Sequence, residues 1–165
     1  MELTNLQIQV DNGSIAKLRE FLVGSILCGY EIPNKQSLGC TWELRFYFEG
    51  RTSYLVFSSD VASAGGWEEF GYLKCELIPE TERNDPEGIF KKVLIENMTI
   101  ESISLLINAE QDVEAECGII IRSSEGMEII VSTAPSPGAV SVMAPFNSDE
   151  YKPEVLIEHC TSRAI

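Results

Sequence analysis

Polar and apolar residues alternate along much of this chain, which is the signature of strands half buried in a sheet. Leu6, Ile8 and Val10 alternate with polar neighbours in LQIQV, and Asp11-Asn12-Gly13 then signals a turn. Ser14 fits the N-cap of a short helix carrying Ile15, Leu18, Phe21 and Leu22, with a strand as the other reading because the segment is short and Gly24 follows. Pro33-Asn34-Lys35 predicts a loop. In WELRFYF, Trp42, Leu44, Phe46 and Phe48 alternate with Glu43, Arg45 and Tyr47; Glu49-Gly50 turns the chain and SYLVFSS returns, so a hairpin is expected. ASAGGWEEFGY then reads as a Gly-rich loop and YLKCELI as a further strand.

The polar stretch 79–88 carries two prolines and predicts a long exposed connection or a boundary. FKKVLIENMTI follows as a strand, while ESISLLINAEQ fits helix or strand. IIIRS, Glu125-Gly126 and MEIIVS form a second hairpin, with GAVSVMA as a third strand. The tail YKPEVLIEHCTSRAI carries Val155, Leu156 and Ile157 and predicts a short strand or helix docked on the sheet. These elements predict a mainly β fold, an antiparallel sheet or sandwich of hairpins with one or two short helices; α+β is the alternative. The chain, 165 residues long, suits one domain over 1–165. The order strand, Glu-Gly turn, strand, loop, strand occurs twice, as a duplication with halves 1–78 and 89–165 would give, and as antiparallel sheets also give without one.

Charge changes the picture more than composition does. Twelve basic residues face 26 acidic ones, and residues 76–165 hold 6 of the former and 17 of the latter. Such a field repels phosphates, so no direct nucleic-acid partner is expected, whereas a basic protein would be attracted; solubility alone is the plainer reading of the same surplus. AEQDVEAE places Glu110, Asp112, Glu114 and Glu116 at alternate positions, on one strand face or in a loop. Four like charges there require solvent or something positive opposite. Trp67, Glu68, Glu69 and Tyr72 suit an interface anchor facing Arg or Lys, although Trp67 and Phe70 could instead fold back to cap the core.

Other chemistry finds little support. The five cysteines show no C-x-x-C spacing and read as free thiols, small hydrophobes of a reducing compartment. The single histidine, His159, stands between Glu158 and Cys160, and adjacent side chains point apart, so it reads as a terminal surface residue. No zinc spacing, calcium loop, phosphate loop or nucleophile elbow is present, so no metal and no cofactor are expected. Glu110–Glu116 could gather a divalent ion, but a solvated acidic segment explains it as well. Carboxylates are too many for any pair to be singled out as a hydrolase's. The first residues lack a basic region followed by an apolar block, and no run of about 18 apolar residues occurs, so a cytoplasmic protein without a membrane span is expected.

GIIIRSSEGMEIIVSTAPSPG, AVSV and YKPEV together give an apolar strand, a Gly turn, an apolar strand, a Pro-Gly corner and a late Pro-Glu. This pattern, over about residues 117–155, resembles small bacterial immunity-type proteins of polymorphic toxin systems. The resemblance implies a non-enzymatic cytoplasmic protein that binds and blocks a cognate toxin, and carries over no functional residue. The leading expectation is therefore an acidic protein that binds a basic protein partner, a toxin domain among them. The alternatives are a small hydrolase with an acid-lined cleft and a structural β protein that associates with itself through a sheet edge.

Overall fold

In the computed structural model, which describes every residue except Met1, Glu2, Asn12, Gly65, Trp67, Pro86 and Gln111, the alternating segments form strands. The first apolar alternation divides into β1 (Thr4–Leu6) and β2 (Gln9–Asp11). Helix α1 (Ile15–Leu22) follows, its Ser14 Oγ accepting the Lys17 N–H as the N-cap. Next come β3 (Ile26–Pro33), β4 (Leu44–Phe48), β5 (Ser53–Ser63), β6 (Glu69–Pro79), β7 (Phe90–Glu110), β8 (Val113–Ser123), β9 (Glu128–Thr133), β10 (Val140–Met143) and β11 (Thr161–Ala164). The fold is mainly β and mostly antiparallel, with one α-helix and short 3-10 turns at Glu80–Glu82 and Ile157–His159.

The strands pair in the order β10-β9-β8-β7-β3-β4-β5-β6-β2. Strand β7 is long enough to serve two arrays. Its first half pairs with β3 and its second half with β8 and β11. The stretch ESISLLINAE is thus strand, because its apolar residues fill both faces of a doubly covered ladder. Both Glu-Gly pairs turn as expected, Gly50 and Gly126 holding φ of 69° and 84° that only glycine tolerates cheaply. The main core lies between the arrays: Leu44, Phe46, Leu55, Phe57 and Leu73 on one side, Ile103, Ile119, Ile121, Ile129 and Val131 on the other.

Two sequence expectations are corrected. The Gly-rich loop is much shorter than ASAGGWEEFGY, because β5 and β6 pair without interruption from Ser53↔Pro79 to Ser63↔Glu69; Glu69, Phe70 and Tyr72 are strand residues. The sheet is also not wholly antiparallel. β1 runs parallel to β8 and β2 parallel to β6, so the N-terminal segment bridges the two arrays.

Strand β3, which the alternation did not disclose, carries a register shift between Leu27 and Gly29 that breaks its period. The connection 79–88 lies across the outer face of the first array: the Arg45 Nη2 group donates to Asn84 O at 2.9 Å and the Arg83 guanidinium reaches Glu31. Among the described residues no helix is long and apolar enough to cross a membrane.

Candidate functional site

The two segments singled out for binding meet in space. The long β5–β6 hairpin carries Ala64 and Phe70 over the start of β8, where they pack with Val113, Ala115 and Leu6 in a small core of their own. Phe70 thus folds back into the protein. Glu68 and Glu69 immediately precede it at the hairpin tip, both exposed. Glu110 closes the β7–β8 hairpin opposite Val113, Asp112 lies in the turn and Glu114 stands on β8 beside Asn5 of β1. Asp60 faces Tyr72 across the β5–β6 ladder. Trp67, the other proposed anchor, lies outside the described residues.

Among the described residues, none of Asp60, Glu68, Glu69, Glu110, Asp112 and Glu114 forms an ion pair. Their mutual repulsion at one end of the molecule is relieved only by solvent or by a partner. Between β1–β2 and the hairpin runs an open groove of about 320 Å³, bordered by Asn5, Gln7, Gln9, Ala62 and Tyr72. Burial, followed by the charge of Asp60 and a hydrogen bond to it, holds the Tyr72 phenol above its ordinary value, so it is an uncharged donor at neutral pH. The end therefore offers amides, a phenol and carboxylates: acceptors and negative charge in quantity, with few fixed cations.

Glu116 does not belong to this surface, and its expected role is corrected. Opposite Leu106 and Ile107 the ladder steps from Gly118 to Glu116, leaving Cys117 as an unpaired bulge. The bulge changes which face of β8 each residue takes, so Glu116 points to the mouth of the main core while Cys117 points outward. There the Glu116 Oε1 atom accepts the Ile8 N–H at 3.0 Å and Oε2 accepts from Arg163 Nη2 at 2.8 Å. The carboxylate is buried and already neutralised by the chain's own arginine. The four acids thus share neither one strand face nor one loop: Glu110 ends β7, Asp112 lies in the turn, and Glu114 and Glu116 stand at alternate positions of β8, ahead of the bulge.

A second charged constellation was not legible in advance. Arg45 and Tyr47, on the polar side of the β4 alternation, are buried, as is Glu31 of β3. Glu31 Oε1 accepts from Arg83 Nη2 at 2.6 Å and Oε2 from the Tyr47 hydroxyl at 2.9 Å, while Arg45 Nη1 lies 3.5 Å from that same Oε2. Arg45 also donates from Nε to Glu43 at 2.7 Å and lays its guanidinium on the Phe90 ring, 3.5 Å from the centroid. The arrangement holds Arg83 and Asn84 of the connection to the sheet. His159 is exposed at the end of the second 3-10 turn, as a terminal surface residue would be.

Among the described residues no three His, Cys, Asp or Glu side chains form a metal-holding group. The cleft at the core mouth, about 310 Å³ and lined by Ile8, Ile15, Leu105 and Arg163, holds one carboxylate, Glu116. No family model matches the chain, and no curated protein or solved structure matches it either.

Proposed function

We propose that the chain is a non-enzymatic binding protein whose acidic end receives a basic protein. The observation that carries this reading is that one apolar cluster, Ala64, Phe70, Val113 and Ala115, ties the hairpin end bearing Glu68 and Glu69 to the end bearing Glu110, Asp112 and Glu114, and that no described lysine or arginine pairs with these acids. Charge gathered at one end steers encounter far better than the same charge spread evenly, since fields of opposite sign raise association rates. The adjoining groove supplies hydrogen-bonding partners that fix orientation, the side-chain amides of Asn5, Gln7 and Gln9. The acids lie on strand ends and a hairpin tip and do not converge in the clefts, an arrangement that favours binding over two-carboxylate hydrolysis. The resemblance of residues 117–155 to immunity-type proteins makes a basic toxin domain, encoded beside this chain, the partner to try first.

The test uses three baits: the wild-type chain, Glu68→Lys/Glu69→Lys, and Glu110→Lys/Glu114→Lys. A partner captured by the wild type, or the product of the neighbouring coding sequence, is then measured by stopped flow against each. The association rate should fall at least about tenfold between roughly 50 and 300 mM salt, and by a similar factor in either reversal variant at low salt. Rates that ignore both salt and charge reversal would overturn the reading.

A further inference from the structure

Cys117 and Cys160 face one another on the outer side of the second array. Cys117 is the unpaired residue of the β8 bulge and is buried against Leu106, Ile120 and Ile130. Cys160, between the second 3-10 turn and β11, packs on the same cluster and is half-buried. Each thiol reaches a carbonyl, Cys117 that of Leu106 at 3.6 Å and Cys160 that of Leu156 at 3.5 Å. Their mutual contact comes first in driving the two apart in acidity, Cys117 upward and Cys160 downward. The half-buried Cys160 thiol is therefore the one a solvent-borne oxidant reaches, and the buried Cys117 lies behind it as the resolving partner. The remaining cysteines lie elsewhere: Cys75 in the main core, Cys28 beside Tyr47, and Cys40 exposed before β4.

We propose that Cys117 and Cys160 are a redox-active dithiol which a hydroperoxide converts to a disulfide, stapling the C-terminal strand to β8. The Cys160 thiolate attacks the terminal peroxide oxygen; the O–O bond breaks, and the departing oxygen takes a proton and leaves as alcohol or water. Cys160 is then a sulfenic acid. The Cys117 sulfur attacks that sulfur, the S–O bond breaks, and hydroxide leaves with the Cys117 proton as water. Two thiols have lost two electrons and two protons, and the peroxide has accepted them. Strand β11 gives this bond something to do. All four of its residues are exposed and it pairs with β7 alone, yet it carries the Arg163 that neutralises Glu116. Cys160 sits outside the ladder, where the main chain can move to close the bond.

The experiment treats the purified full chain with hydrogen peroxide and then with dithiothreitol. Non-reducing peptide mapping should join Cys117 to Cys160, with an intact-mass loss of about two units. The melting temperature should rise by about 8 °C on oxidation and return on reduction. Cys160→Ser, which leaves the buried Cys117 in place, should show neither change while keeping the wild-type circular dichroism spectrum. Oxidation of Cys160 to sulfinic acid with Cys117 still free, a cross-link confined to other cysteines, or a cross-link that leaves the melting temperature unmoved would each overturn the proposal.

Discussion

At the scale of single residues, the most consequential side chain is Glu31. Its carboxylate is almost fully enclosed and answers Arg45, Arg83 and the Tyr47 hydroxyl together. Removing one partner from a buried charge cluster leaves the others without compensation, which is far worse than never having built it. Glu31→Gln should therefore lower unfolding stability by about 3 kcal/mol. Arg83→Ala, whose side chain is partly solvated, should lose about 1 kcal/mol. Urea denaturation of both variants checks the pair, and equal losses would contradict the geometry. None of this was readable from the sequence. Glu31 and Arg45 sit at positions that look outward-facing in their strands, and the lid that buries them comes from a connection rich in charge and proline, whose composition argues for exposure. Glu116 eluded the alternation for a different reason: one bulged residue reverses the parity of everything before it, and a period of two contains no sign of where a bulge will fall.

Among the elements, the two hairpins were legible because their apolar residues alternate on both sides of a Glu-Gly turn, and β3 was not because its own register shift spoils the period. What the pattern could not disclose is how closely elements approach. Gly71 of β6 lies against β9, its N–H donating to Glu154 Oε2 at 3.2 Å while Thr133 Oγ1 donates to Oε1 at 2.8 Å. A Cβ at residue 71 would meet Glu154 Oε1 and lie 3.0 Å from the Thr133 Cβ atom. The late Pro-Glu of the tail is thus a clasp between β9 and β6, and the glycine is the room it needs. Gly71→Ala should cost about 2 kcal/mol. Adding Glu154→Ala should recover part of that loss, because the two changes remove the same collision. Chemical denaturation of the two single variants and the double variant gives the coupling directly, and strict additivity would contradict the contact.

For the molecule as a whole, Glu68, Glu69, Glu110, Asp112 and Glu114 stand on two hairpin ends joined by one apolar cluster, while Glu20, Glu96, Glu101 and Glu158, all exposed, stand elsewhere. Buried phenols offer a measurable whole-molecule property. Tyr30, Tyr47, Tyr54, Tyr72 and Tyr151, all the tyrosines of the chain, hold their protons above the ordinary value, in each case chiefly because burial disfavours the phenolate; Tyr151 is pushed up to about 12. In the unfolded chain these groups ionise near pH 10. Above that value the unfolded state releases protons the folded state keeps, so their contribution to stability is fully present below about pH 10 and is lost as pH rises toward the folded values. Absorbance at about 295 nm, followed alongside circular dichroism from roughly pH 8 to 12, should show phenolate appearing together with loss of structure. Phenols that ionise near pH 10 while the dichroism holds would contradict it.

The parallel seating of β1 has a consequence for biosynthesis. Thr4–Leu6 emerges from the ribosome long before its ladder partner, Val113–Ala115, and β2 must await Lys74–Glu76. Until those later segments are made, Leu6, Ile8 and Val10 remain an apolar ribbon without a home, exposed to any other nascent strand nearby. A strand made well before its partner therefore docks late, and closing the gap between the arrays is the step in which a newly synthesised copy is most vulnerable to misassembly.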